Sequence, residues 1–198
     1  MRPRVRVLDA ERSIVEVAGV LDPSACAGWL AEAEARGFEA APITTARGFV
    51  HRPDVRNNTR AMWDDPAGAE ALWALVRPFA PATLGPWRAV GLNERLRVYR
   101  YVEGQYFAWH FDGCFERDDG ERSLLTCMLY LDGVLDDLPD DAAPLRGGET
   151  EFDGLGAVVP ATGKLLLFAH DVRHRGAPVL AGTKHVLRTD VMYRHDGA

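Results

Sequence analysis

The sequence predicts an α+β fold that is mainly β, with helices packed on the outside of an antiparallel sandwich or barrel. Two observations carry this. Before about residue 90 the chain has two helix starts of the same form, Asp22-Pro23 and Asp65-Pro66. In each, the aspartate can cap and the proline suits the first turn. From Leu92 onward the texture changes to short apolar runs separated by Gly, Pro or Asp clusters, the pattern of successive strands. Helices first and strands afterwards imply segregated layers rather than alternating βαβ units. No internal repeat or low-complexity tract interrupts them, and 198 residues suffice for one sizeable core. The expectation is a single domain over residues 1–198, with supporting helices over about 1–90 and a β-core over about 92–194.

Taken in order, residues 13–21 alternate loosely and predict a strand. The helix opened by Asp22 runs to about Arg36 and stops at Gly37. Ile43 to Asn58 shows no clear period and reads as loop, with a short strand at most. The helix after Asp65 carries Leu72, Leu75, Val76 and Phe79 at one-face spacing. In the first β-run, Leu96, Val98, Arg100 and Val102 share one face, and Arg97, Tyr99 and Tyr101 share the other. Further runs lie at 106–112, 123–131, 149–152, 157–160, 164–170 and 184–193.

With 47% hydrophobic and 26% charged residues, the composition is that of an ordinary globular protein, and no stretch approaches the ~20 apolar residues of a membrane span. The basic start Met-Arg-Pro-Arg-Val-Arg leads into no apolar run, so no secretory signal is expected. Cys26, Cys114 and Cys127 are odd in number and far apart, which predicts a reducing, cytoplasmic setting rather than a disulfide framework. Cys114, two residues past Asp112, reads as an incidental thiol. The net charge of −6 is uneven: residues 116–153 hold 12 acids against 3 bases. Within them Asp136, Asp137, Asp140 and Asp141 predict a solvated connection over 132–144, with a lid as the alternative. Acidic balance without a basic aromatic tract argues against a nucleic-acid partner.

The chemistry starts from His110-Phe111-Asp112 and a later His174. Two imidazoles and a carboxylate can hold Fe(II) on one face and leave the opposite positions open. Residues two apart on a strand point the same way, so His110 and Asp112 could share one ion. A lone H-x-D carries little; its weight comes from the order of the surrounding blocks. Arg97 to Phe107 leads into it, Thr126 to Leu131 follows, and then come Gly147-Gly148-Glu149-Thr150-Glu151-Phe152, Val159 to Gly163 and Leu165 to Phe168. His174-Arg175-Gly176-Ala177-Pro178-Val179-Leu180-Ala181-Gly182-Thr183-Lys184 closes the series. This order resembles the prolyl 4-hydroxylase-like branch of the 2-oxoglutarate/Fe(II) dioxygenases over about residues 92–194.

The resemblance implies a double-stranded β-helix, or jelly roll, with N-terminal supporting helices. It implies Fe(II) held by His110, Asp112 and His174, with 2-oxoglutarate and O2 as co-substrates; family enzymes often need ascorbate as well. His170 competes for the distal position, but His174 directly precedes the Gly-x-Pro-Val-x-x-Gly-x-Lys run where the family's ligand stands. Lys184, ten residues on, matches the lysine that anchors 2-oxoglutarate. Arg188 shares its strand parity and stands where other branches place an anchoring arginine, so both remain candidates. Tyr101 matches a tyrosine on the same carboxylate, Tyr99 and Arg97 share its face, and Thr126 matches a small hydroxyl in the pocket. Arg97 is the candidate for substrate contact. Gly147-Gly148 reads as a bend at the barrel rim, Glu149 as structural, and Trp109 as packed away from the metal. Asp190 departs from the aromatic residue of many prolyl hydroxylases, which tells against peptidyl-proline as substrate.

The implied activity is hydroxylation of an unactivated C–H bond in a small molecule, amino acid or peptidyl residue, with release of succinate and CO2. A nucleic-acid demethylase, a zinc hydrolase and a non-catalytic metal-binding module are the rival readings. The hydrolase leaves the 2-oxoglutarate residues unexplained, and the module would tolerate a broken triad. No membrane partner is expected, and the oligomeric state stays open.

Overall fold

Asp22 and Asp65 set where the two helices begin. The Asp22 carboxylate accepts from the Ala25 N–H at 2.8 Å, and the Asp65 carboxylate accepts from the Gly68 N–H at 2.8 Å. Helix α1 spans Pro23–Arg36, and the N–H of Gly37 caps it against the carbonyls of Ala33 and Glu34. Helix α2 spans Pro66–Val76. It ends before Phe79, and Leu75 is exposed, so the apolar face runs through Ala69, Leu72 and Val76 instead. The computed structural model describes residues 3–45, 48–133 and 145–197. The acidic connection expected over 132–144 therefore lies, from residue 134 on, outside the described residues.

The strands form a jelly roll. Its larger sheet runs, neighbour to neighbour, through Arg4–Asp9, Ile14–Ala18, Leu165–Ala169, Arg122–Tyr130, Lys184–His195, Arg95–Tyr101, Thr59–Asp64 and Glu39–Ala40. Every one of these pairings is antiparallel. The strand Trp87–Leu92 pairs with the second half of Lys184–His195. The smaller sheet orders Phe107–His110, His174–Gly176, Thr150–Phe152 and Gly156–Val158.

Strand alternation divides the core in two. Leu96, Val98, Leu125, Cys127, Leu129, Leu165, Leu167 and Leu187 face the helices and pack with Cys26, Ala33, Leu72 and Val76. The opposite face sends Tyr130, Leu166, Phe168 and Val186 against Phe152 and Val158 of the smaller sheet. Each of these large apolar side chains contributes about 1.5–3 kcal/mol by leaving water, so register is fixed on both faces. Arg97, Tyr99 and Tyr101 consequently look into the space between the sheets, as their parity predicts.

Among the elements that differ from the sequence expectation, three have a plain physical reason. Arg4–Asp9 is a strand although Val5 and Val7 are more than half exposed; it is an edge held by its ladder to Ile14–Ala18 and by Arg6 on Glu16 at 2.6 Å. Burial leaves no period there to read. Thr59–Asp64 is a strand whose buried Arg60 and Ala61 sit side by side, which disguises the alternation. The strand at 106–112 ends at His110, so Asp112 stands just beyond it.

Candidate active site

The two sheets hold the site between them. His110 ends one strand of the smaller sheet and pairs directly with His174 on the next. Asp112 turns in from the following loop, its N–H donating to the His170 carbonyl at 3.2 Å. The ligand atoms of His110, Asp112 and His174 lie within 4.8 Å of one another. Nε2 of His110 is 3.7 Å from Asp112 Oδ1, and Nε2 of His174 is 3.6 Å from Oδ2.

The hydrogen bonds select the tautomers. Nδ1 of His110 donates to the Ala108 carbonyl at 2.8 Å, and Nδ1 of His174 donates to the Val172 carbonyl at 3.0 Å. Both protons therefore sit on Nδ1, and both Nε2 lone pairs point at the carboxylate, as metal ligation needs. Burial brings His110 down to about 3, helped by His174. Burial also lowers His174. Burial alone would raise Asp112, but Arg188 and the two histidines hold its carboxyl below the ordinary range. Two neutral imidazoles and an ionised carboxylate form a donor set that fits a divalent cation such as Fe(II).

Asp112 is held from both sides. Thr126 donates its hydroxyl to Oδ2 at 2.5 Å, and Arg188 lies 3.1 Å from Oδ1. Arg188 also pairs with Asp190 at 3.2 Å, and Asp190 faces Arg97 and His170 at 3.5 Å each. The structure thus places Thr126 and Arg188 against the carboxylate rather than at the far end of the pocket. Arg97 stands on Asp190 and does not line the cavity. His170 sits with Asp190, outside the three-residue cluster.

Lys184 is at the other end. It is 2% exposed, and its ammonium donates to the Gly148 carbonyl at 2.5 Å. The charge lies 5.1 Å from the Tyr101 ring and 5.7 Å from the Tyr130 ring. Burial pushes Lys184 down to about 8 against the opposing pull of Glu149 and Asp132. Gly148 has φ +72, and a Cβ there would come 3.1 Å from the lysine stem, so glycine clears the lysine's path. Beside it Tyr130 and Thr150 share a hydroxyl hydrogen bond of 2.7 Å.

Arg56 joins this site unannounced by the sequence. It is 7% exposed, donates from Nε to Asn58 at 2.7 Å, and lies over the rings of Tyr99 at 4.2 Å and Phe107 at 4.4 Å. Phe107 in turn stacks on His110 at 3.6 Å. Burial would raise Tyr99, but Arg56, Arg188 and Arg97 outweigh it and bring its hydroxyl down to about 7. Arg56, Tyr99, Tyr101, Lys184 and Arg188 line one cavity with the triad. Trp109 faces away from the triad, as expected, but carries Arg173 and Arg175 over its ring rather than packing in the core. Cys114 is exposed and outside the cluster.

The comparisons agree with this geometry. The family model of the 2OG-Fe(II) oxygenase superfamily matches residues 96–189, the stretch that holds the whole triad and Lys184. No curated protein matches the chain. The viral collagen prolyl hydroxylase of Paramecium Bursaria Chlorella virus-1, solved as a 2OG complex, superposes with a TM-score of 0.61 at 20% identity, over 92% of this chain and 97% of that one. A prolyl-4-hydroxylase of Pseudomonas putida gives 0.63 at 20%, over 92% and 94%. A Trichoplax adhaerens prolyl hydroxylase, in complex with a hypoxia inducible factor peptide fragment, gives 0.65 at 20%, over 92% and 84%. At that identity the likeness is one of fold, and the family match carries the rest. With its His-Asp-His cluster set in a jelly roll, the chain matches the 2OG-Fe(II) oxygenase superfamily over residues 96–189, the part that builds the site.

Proposed function

We propose that this protein hydroxylates an unactivated C–H bond of a small molecule, amino acid or peptidyl residue, consuming 2-oxoglutarate and O2 and releasing succinate and CO2. The observation that carries the reading is a three-ligand cluster facing, across one cavity, a buried lysine that has no ion pair among the described residues. When held by His110, Asp112 and His174, iron supplies the redox chemistry that couples 2-oxoglutarate decarboxylation to C–H oxidation.

The chain's own residues bind and orient. Lys184, with Tyr101 beside it, holds the distal carboxylate of 2-oxoglutarate at a buried position, where a charge pair is worth more than at the surface. Thr126 and Arg188 fix the Asp112 carboxylate so that its free lone pairs face the ligand centre. The Ala108 and Val172 carbonyls keep each imidazole proton away from that centre. The Phe107 ring on His110 and the Tyr99–Arg56 wall shape the side where substrate enters. The Trichoplax complex supports a peptidyl substrate, whereas Asp190, neutralised by Arg188 and Arg97, leaves no aromatic platform for proline. Three unpaired cysteines support a reducing compartment such as the cytoplasm.

The test is a screen of amino acids, small acids and peptides for substrate-stimulated succinate, run with Fe(II), 2-oxoglutarate and ascorbate. Succinate formation lost in the His174→Ala protein supports the reading. Wild-type protein that neither binds 2-oxoglutarate nor forms succinate defeats it.

A further inference from the structure

We infer that Arg56 builds a second carboxylate site in the cavity, so that the primary substrate is a molecule bearing a free carboxylate. This rests on the oxygenase reading and narrows its substrate class.

Charge sets the problem. A buried guanidinium is expensive unless an acid or a full set of acceptors compensates it. Among the described residues the other buried arginine, Arg60, has Glu39 at 3.7 Å, and the half-buried Arg97 and Arg188 share Asp190. Arg56 forms no ion pair among the described residues; its partners are neutral groups, the amide oxygen of Asn58 on Nε and the hydroxyls of Tyr99 and Tyr101. Asn58 is itself buried and spends its own N–H on the Thr59 carbonyl. The guanidinium is thereby held over the rings of Tyr99 and Phe107, in the wall of the cavity. Tyr99 shows the same excess of positive charge, its hydroxyl drawn toward ionisation by the surrounding guanidiniums. Held this way, Arg56 presents the planar fork that matches a carboxylate.

Position separates this cation from the co-substrate's anchor. In the strand register Lys184 stands opposite Tyr101, Val186 opposite Tyr99 and Arg188 opposite Arg97. Arg56 lies over the Tyr99 ring, one row along from Lys184 or about 6.6 Å at two residues' rise, and reaches back to the Tyr101 hydroxyl of the Lys184 row. Through Phe107 it also lies toward His110, on the triad side. 2-Oxoglutarate has two carboxylates: the distal one meets Lys184 and the other belongs at the metal. Arg56 is then left for an anion that the co-substrate does not bring, within reach of a substrate set beside the triad.

The experiment titrates propionate and propionamide, a matched acid and amide, into anaerobic protein loaded with Fe(II) and saturated with 2-oxoglutarate. Calorimetry should give saturable binding of propionate and at least ~10-fold weaker binding of the amide. Arg56→Gln should collapse that ratio to about 1, and Arg56→Lys should recover part of it, since charge remains but the fork is lost. The succinate screen should show the same order, with each active acid losing at least ~10-fold in kcat/KM on amidation. Equal binding of acid and amide in the wild type overturns the inference, as does an acid preference that survives Arg56→Gln. So does a loss of 2-oxoglutarate affinity in Arg56→Gln as large as that in Lys184→Ala, which would put both cations on one carboxylate. Absence of 2-oxoglutarate binding before propionate is added would instead defeat the oxygenase reading, and this inference with it.

Discussion

Replacing Lys184 by methionine should move co-substrate affinity and stability in opposite directions. The lysine is 2% exposed, and burial brings its ammonium from 10.5 to about 8. Keeping it charged at neutral pH therefore costs the folded protein about 3 kcal/mol, at about 1.4 kcal/mol per pH unit. Methionine is of similar length and uncharged, so that cost disappears. The Gly148 carbonyl loses its 2.5 Å donor in exchange, a penalty of about 1–3 kcal/mol. The balance lies between zero and about +2 kcal/mol, so Tm below pH 8 should stay level or rise by up to about 8 °C. Affinity for 2-oxoglutarate should fall by about 2–5 kcal/mol, or about 30-fold to several thousand-fold in Kd. pH separates the two effects further. The wild-type ammonium is present below about 8 and lost above it, so the Kd for 2-oxoglutarate should climb toward tenfold per pH unit there, while Lys184→Met stays flat. Wild-type stability should rise between 8 and 10.5, because the unfolded chain then holds a proton that the folded chain lacks. Calorimetry of the anaerobic Fe(II) protein and thermal melts across pH 7–10 read both. A drop in Tm of more than about 5 °C together with an unchanged Kd would refute the reasoning.

Three further outcomes are expected. His174→Ala and Asp112→Ala should each abolish the visible charge-transfer band that 2-oxoglutarate raises in the anaerobic Fe(II) protein; a wild-type band in both would dismiss the ligand assignment. Thr126→Val keeps the shape but removes the donor to Asp112 Oδ2, so Fe(II) affinity, measured by chelator competition, should fall by about 10- to 100-fold; wild-type affinity would leave the hydroxyl without a role. Arg188→Met leaves the buried Asp112 without a guanidinium and Asp190 with Arg97 alone, and should destabilise the protein by about 3–5 kcal/mol, lowering Tm by about 6–20 °C. Its loss of 2-oxoglutarate affinity should be smaller than that of Lys184→Met, and equal losses would make Arg188 a co-anchor.

Where a side chain's direction follows from strand parity, the sequence reading and the structure meet. Lys184, Arg188 and Asp190 point inward on one strand, and Tyr99 and Tyr101 point inward on its neighbour, because their alternating partners fill the core beneath the helices. Parity does not say which row meets which group across the cavity. Arg188 is therefore legible as inward but not as the partner of Asp112, and Arg97 is legible as facing in but not as covered by Asp190. Asp112 itself reaches the cluster from a loop, so the two-residue strand rule names the right residue for an incomplete reason. Arg56 leaves no signal. It lies in an aperiodic stretch between the helices, and every contact that gives it meaning, with Tyr99, Phe107 and the cavity, comes from residues more than forty positions away.

The twelve-residue strand Lys184–His195 is laddered to Arg122–Tyr130 along one side and to Arg95–Tyr101 and then Trp87–Leu92 along the other. It carries both Lys184, proposed above to meet the distal carboxylate of 2-oxoglutarate, and Arg188, which steadies the Asp112 carboxylate, four residues apart. Bound on both edges, the strand has no freedom to stretch, and the separation of those two rows is set by backbone rise at about 13 Å. On the proposed assignment the protein holds a ruler for its co-substrate, graduated in peptide units rather than in side-chain lengths. Sliding it by one residue would turn Lys184 and Arg188 together into the helix-facing core, so selection can retune the length accepted only by changing the side chains mounted on the strand.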